Sequence, residues 1–487
     1  MPVIETEIER SFPAPASLAH SWELSLPSER ALTYASLVLL SLTSLEIDLV
    51  QNIATALWLI SVCLLAFINV GAGFGVMLAS VALHASRHFE GWGTIFQRPD
   101  NFAMFFVLLG LLYRCRNDLK LKSVDFGLLS IGAFVLYGLL HGAAMGLLTR
   151  GEFAWYMRMF GIPLVFFVLL MRARFQPGEF GLFAACVAVV GAVMVAISLV
   201  ERIDTEYVFF PPWFHDADIN VTLDTGRSGG LLMQSEWNGL ALSLVFCVLV
   251  LGVRRRMIPW RLCATGIGLA CLVAIFFTYT RAAWLAMAIA FLILLAGDAS
   301  NRGSKTLRRL AVTCGVVAGG VLLVAFPTQT AQQRMGDSGT VHYRMNLWST
   351  ALNMAAQRPI FGYGFAQFGL HAGDYHSRSS NIPFVNIDEK PVVHNTPMSV
   401  LVELGGVGLV LYALAMLQVC WLTYKAVCRR WGWDGVVWLA AFAAVYFCQT
   451  QFVIAHDPTT NLLFFGTLGG LAGLRGNPEQ GFEQVQA

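Results

Sequence analysis

Charge is what this chain has least of. Asp, Glu, Lys and Arg make up 13% of its 487 residues, against about a quarter in soluble globular domains, while hydrophobic residues reach 56% and mean hydropathy is +0.63. Too few charges to cover a water-facing surface exclude a soluble enzyme and imply an all-α polytopic membrane protein. The formal net charge is only +2, and the basic residues fall in short, scattered clusters, which excludes a nucleic-acid-binding face. Cysteine is missing from the long polar segments: all ten lie in apolar runs or beside basic turns, so neither a disulfide framework nor a CxxC metal site is implied. The first thirty residues contain several glutamates and no apolar core, so 1–30 is expected to be a cytoplasmic tail and not a cleavable signal peptide. Repeats and low-complexity tracts are absent as well.

What the chain has in abundance is apolar runs. A spanning helix needs about 20 mostly apolar residues. That ruler gives candidate spans near 31–47, 52–68, 70–85, 101–114, 126–147, 156–171, 178–200, 231–252, 259–277, 281–297, 308–326, 398–424, 434–453 and 458–474, or about 12–14 transmembrane helices, with 52–85 readable as one tilted span or two. The clusters "RCRNDLKLK" (114–122), "RAR" (172–174), "RRR" (254–256), "NRGSKTLRR" (301–309) and "YKAVCRR" (424–430) all fall on one side, which positive charge marks as cytoplasmic. A membrane domain over 31–474 and a cytoplasmic tail over 475–487 follow. The opposite side receives two long polar loops, about 201–230 and 327–396, and short turns at "TYTR" and "AHDP". The longer loop holds His342, His371, His376 and His394 with Arg334, Arg344, Arg358 and Arg378, where topology does not require positive charge.

Four stretches of that outer side can carry chemistry. In "FFTYTRAAWLAMAIA", Arg281 stands at the boundary between two spans, where it either snorkels to the interface or points into a cavity between helices. In "VHYRMNLWSTALNMAAQRPIFGYGF", Arg344, Trp348, Leu352 and Ala355 recur at near-helical spacing and predict an amphipathic helix that stops before Pro359, followed by a glycine-punctuated turn; Arg344 on it is either a solvated charge or a ligand at the membrane surface. In "DTGRSGGLLMQSEWNGLALSL", Arg227 precedes a glycine pair and Asn238 follows inside a span; the glycines permit close backbone approach to a ligand or simply form the turn into the helix. In "EKPVVHNTPMSVLVELGG", Pro397 suits a first helical turn, Asn395 is an N-cap, and His394 is either a buried, hydrogen-bonded histidine or a neutral base at a positive helix start.

Taken in order, "GRSGGLLMQSEWNG", "YTRAAWLA", "YRMNLWSTALNMAAQRPIFGYGFAQF" and "VVHNTPMSVLVELGGVGLVLY" resemble the signature blocks of the O-antigen ligase and Wzy-type polysaccharide polymerase superfamily, across about residues 220–410. The first block departs from the family's Asn-Pro-Asn run, having "QSEWN" instead. The resemblance implies a class C membrane glycosyltransferase, multi-pass in the bacterial inner membrane with its active site on the periplasmic side and an amphipathic helix in its long periplasmic loop. It implies an undecaprenyl diphosphate-linked oligosaccharide donor and a glycan acceptor as substrates, a chain-length regulator as partner, and no metal or other cofactor. By that similarity Arg281 and Arg344, with Arg227, clamp the diphosphate and His394 acts on the acceptor hydroxyl, with Asn395, Asn238, Tyr343 and Trp348 in support. Chemistry points the same way independently: a diphosphate leaving group calls for guanidinium forks where negative charge develops.

The expected product is an exopolysaccharide or O-antigen polymer. The alternative acceptor is lipid A-core, which would make the chain an O-antigen ligase. A metal-dependent transferase would instead use the outer acidic pairs Glu46/Asp48 or Asp216/Asp218. A transporter of polysaccharide or lipid-linked glycan would place ionisable residues near the bilayer midplane, where this sequence has almost none.

Overall fold

The computed structural model describes residues 27–43, 48–84, 99–116, 128–148, 150–204, 210, 214, 226–258, 260–299, 339–375, 391–453 and 457–474, and among them the chain is helical, with no strand. In order the helices are α1 (Pro27–Leu42), α2 (Asp48–Ile68), α3 (Val70–His84), α4 (Pro99–Cys115), α5 (Leu129–Ala144) and α6 (Arg150–Tyr156), which runs through a π-turn (Met157–Gly161) into α7 (Ile162–Arg172). Next come α8 (Pro177–Ile203), α9 (Ser235–Arg254), α10 (Arg261–Phe277), α11 (Arg281–Ala299), α12 (Gly339–Gln357), α13 (Phe368–Tyr375), α14 (Thr396–Thr450) and α15 (Pro458–Gly473).

By length and composition five stretches among these residues can cross a membrane: Val50–Ile68, Gly151–Arg172, Pro177–Ile203, Ser235–Arg254 and Thr396–Thr450. The apolar helices Val70–Leu83, Leu129–Ala144, Arg261–Phe277 and Arg281–Gly297 are shorter. A straight helix of 55 residues would be about 80 Å long, far more than the roughly 30 Å of a hydrocarbon core. α14 is accordingly broken, at Gly405 (φ 68°) near its start and at Gly432 (φ 57°) between the two spans read at 398–424 and 434–453. The 52–85 stretch resolves into two helices. Asn69 ends α2, and its Oδ1 accepts from Ala72 N at 2.9 Å to cap α3 while its Nδ2 donates to Glu29 Oε2 at 2.9 Å. The span expected at 308–326, the cluster at 301–309, the acids Glu46, Asp216 and Asp218, and the C-terminal tail lie outside the described residues.

α9 is the axis of the bundle, packed against α8, α10, α14 and α15. Its 20 residues set apart two ends about 27–30 Å from one another. At its C-terminal end Arg254 Nη2 meets Asp434 Oδ2 at 2.8 Å, and Arg255 lies over the Trp431 ring at 5.0 Å. At its N-terminal end sits the first turn, Ser235–Asn238, beside the loop that carries Arg227. Around this axis α11 and α12 both pack on α14.

Candidate active site

The loop carrying Arg227 is held from below by a carboxylate. Glu201, in the last turn of α8, accepts from Ser228 Oγ at 2.6 Å and from Gly230 N at 2.8 Å through the same Oε2. Ser228 N also donates to Phe277 O at 3.0 Å, which ties the loop to the end of α10. Gly230 has φ 57°, and a Cβ there would run into the Asn238 amide, so both backbone and space call for glycine. Fixed in this way, Arg227 donates from Nε to Thr278 O (3.1 Å) and from Nη2 to Thr280 Oγ1 (3.0 Å), and the same Nη2 faces Glu236 Oε1 at 3.3 Å.

The turn between α10 and α11 is tight, with Tyr279 at φ 47°. Trp284 closes it from the α11 side. Its ring stacks on Phe276 at 5.1 Å and its Nε1 donates to Ile275 O at 3.3 Å. Arg281, the first residue of α11, is thereby presented on an exposed rim.

Arg344 arrives on α12, and the glycine turn behind that helix fixes where it lies. Residues 359–364 dock against the break in α14 by main-chain bonds: Tyr363 N to Val402 O (3.0 Å), Gly364 N to Glu403 O (2.8 Å) and Gly406 N to Pro359 O (2.7 Å). Gly405 lies against Ile360 and Gly362 against the 402–405 backbone, both at positive φ, so neither position has room for a side chain. One turn after Arg344, Trp348 Nε1 donates to Val393 O at 3.1 Å and joins α12 to the approach to α14.

His394 follows directly, partly buried and in the left-handed region at φ 53°. Burial, and next the Arg344 guanidinium, hold its imidazole below the ordinary histidine value; Arg227 acts the same way and Glu236 opposes them. Asn395 then caps α14, its Oδ1 accepting from Met398 N (2.9 Å) and its Nδ2 donating to Gln451 O (2.9 Å).

These elements enclose a cavity of about 240 Å³ whose walls include Arg227, Glu236, Arg281, Arg344, Trp348 and Phe452. Arg344 Nη2 stands 3.7 Å from Glu236 Oε1, so one carboxylate serves two guanidiniums, and the three arginines with that one acid leave two positive charges in the walls. Leu285, Val341, Met345 and Ala282 give the remainder an apolar character. Such a site can take a dianion attached to an apolar chain. Among the described residues no three His, Cys, Asp or Glu side chains gather as a metal would need.

The candidates Arg227, Arg281, Arg344 and Trp348, taken from three separate stretches of sequence, thus share one cavity, with His394 beside it. Tyr343 is half-buried in the packing of α12. Asn238 is fully buried below the loop, its Nδ2 donating to Ser198 Oγ at 2.9 Å, and supports Arg227 from beneath without facing the cavity. Sequence reasoning passed over Glu236, Thr280 and Phe452. Glu236 did leave a signal, being the only charged residue in the apolar run 231–252.

No curated protein matches the chain. Residues 266–413, which carry Arg281, Arg344 and His394 but not Arg227 or Glu236, match the family model described as O-antigen ligase, so this part of the chain is similar to that family.

Proposed function

We propose that the protein transfers a glycan from undecaprenyl diphosphate to an acceptor hydroxyl at the periplasmic face of the inner membrane, polymerising exopolysaccharide or O-antigen repeat units without a metal. The observation that carries this reading is the convergence of Arg227, Arg281 and Arg344 on one half-apolar cavity next to His394. A diphosphate esterified to lipid and sugar has two negative charges, which two net positive charges in the walls match. In the transfer the acceptor oxygen attacks the anomeric carbon, the bond from that carbon to the diphosphate oxygen breaks, and the electron pair leaves with the diphosphate. The guanidiniums stabilise that charge as it develops. His394 takes the acceptor's proton, a contribution on the order of 10²–10⁴-fold. The site lies at the end of α9 remote from Arg254 and Arg255, which supports an outer placement.

The description of the matched family favours a second acceptor, lipid A-core, and with it a ligase. One experiment separates the two: purified protein in detergent is given lipid-linked repeat units alone, then with lipid A-core added. A ladder from repeat units alone is the expected result. Product only after core is added assigns the ligase, and no product in either arm overturns glycosyl transfer. Excess EDTA is expected to leave the rate unchanged, and loss of activity restored by magnesium or manganese overturns metal independence.

A further inference from the structure

The cavity has two kinds of wall. Arg227, Arg281 and Arg344 supply its charge, while Trp348 and Phe452 line it with a pair of aromatic rings. Trp348 follows one turn after Arg344 on α12, so the rings begin where the guanidiniums end. The two ring centroids are 6.4 Å apart with their planes at 38°, and both side chains are half-buried. They form one surface, part of which stays open to the cavity.

Both rings are fixed by the residues that flank His394. Trp348 Nε1 donates to Val393 O at 3.1 Å, which sets the plane of the indole. Phe452 stands between two carbonyls that are held in place: Gln451 O accepts from Asn395 Nδ2 at 2.9 Å, and Val453 O accepts from Thr396 Oγ1 at 3.2 Å. Val393, Asn395 and Thr396 thus carry the aromatic pair on either side of the histidine, and the three side chains form one built unit. The shared anchors leave little freedom for the rings to move apart from His394.

Size limits what can enter. At about 240 Å³ the cavity is smaller than the roughly 300–1,000 Å³ of a pocket for a drug-sized molecule, so it admits the reacting end of a lipid-linked glycan and not a whole repeat unit. That end is a diphosphate and one sugar ring. The guanidiniums account for the diphosphate. The polyprenyl chain has apolar partners of its own in Leu285, Val341 and Met345, which line the cavity and are exposed on α11 and α12. A pyranose presents a face of weakly positive C–H bonds, which suits the negative face of an aromatic ring and gains by leaving water.

We propose that Trp348 and Phe452 form the sugar subsite of the cavity, their rings receiving the C–H face of the pyranose bonded to the diphosphate and so selecting the donor by its first sugar. This rests on the transfer proposed above. With the diphosphate at the guanidiniums and the ring on the aromatic pair, the anomeric carbon falls between the two, beside His394.

The test measures binding to purified protein in detergent of two ligands: undecaprenyl diphosphate carrying the repeat unit, purified from the cells that make the protein, and undecaprenyl diphosphate without sugar. Phe452→Leu keeps an apolar side chain and removes the ring. It is expected to weaken binding of the glycan-bearing lipid about five- to tenfold and to leave the sugar-free lipid within about twofold of the parent. Trp348→Leu should show the same selective loss, and Phe452→Tyr, which keeps a ring, should restore most of the difference; thermal melting checks that each variant is folded. Equal loss for both ligands overturns the subsite, because the rings then serve the lipid or the phosphates. So do unchanged binding of the glycan-bearing lipid in both leucine variants, a tyrosine variant no better than leucine, and a parent that binds the two ligands alike. Binding needs no turnover, so a parent that prefers the glycan-bearing lipid but forms no product overturns the transfer and not the subsite.

Discussion

At the scale of single residues, His394 carries two requirements in one position. Its φ of 53° lies in the region that favours glycine, and its imidazole is held below the ordinary histidine value by burial and by Arg344. The two can be separated by substitution. His394→Ala keeps the strain and loses the base; His394→Gly loses both. The glycine variant is therefore expected to be at least as stable as the alanine variant, by about 1 kcal/mol, while both lose turnover by about 10²–10⁴-fold and still bind donor. For His394 as the proposed base, the neutral imidazole is the active form. Because its proton affinity is lowered, the rate should hold as pH falls through about 6.5 and drop only below it, which a pH–rate profile checks. Turnover within about twofold of the parent in either variant makes His394 structural. Asn395→Ala is the matched control. It removes the cap on Met398 N and should cost about 1 kcal/mol in thermal stability without changing the shape of that profile. The arginines, His394 and the cap were legible in the sequence because each is a polar group at the margin of an apolar run. Glu236 was not, since its meaning lies in which cations fold onto it from α12 and from the loop.

Among the elements, the join between the glycine turn at 359–364 and the break in α14 governs where α12 lies. Both halves were visible as glycine-rich stretches, "PIFGYGF" and "VELGG". Their pairing was not, because main-chain bonds between segments about forty residues apart leave no periodic trace. Gly405 tests the join. A methyl group there must adopt φ 68° and meet the Ile360 backbone, so Gly405→Ala should cost about 1–3 kcal/mol in thermal stability and weaken donor binding as Arg344 shifts. Gly432→Ala has nearly the same strain, at φ 57°, but nothing within 4 Å of the added carbon, and it sits near the Arg430 end of the helix. It should lower stability by about 1 kcal/mol and leave donor binding alone. Equal losses of binding in the two variants would mean that the turn does not position Arg344.

On the scale of the whole molecule, the question is which end of α9 faces outward. The apolar runs and the alternation of basic clusters were enough to order the helices. Where the long α14 breaks, and which helix forms the axis, depended on packing and so could not be read from the runs. The final arrangement keeps the two kinds of positive charge apart. Arg254, Arg255 and Arg430 hold the C-terminal end of α9, where Arg430 Nη2 also donates to Leu474 O at 2.6 Å, while Arg227, Arg281 and Arg344 surround a cavity at the other. With the cavity on the periplasmic side, as proposed, basic residues at the first end follow the positive-inside rule and those at the second depart from it. Cysteines placed one at a time in a cysteine-free parent can read this directly. Val341→Cys lies on the cavity wall, and Arg261→Cys lies exposed at the start of α10, close in sequence to Arg254 and Arg255. A membrane-impermeant maleimide should label Val341→Cys in intact spheroplasts and reach Arg261→Cys only after the membrane is opened. The reverse pattern puts the cavity in the cytoplasm. There it could not meet a periplasmic glycan, and the positive charges at the α9 C-terminus would need another explanation.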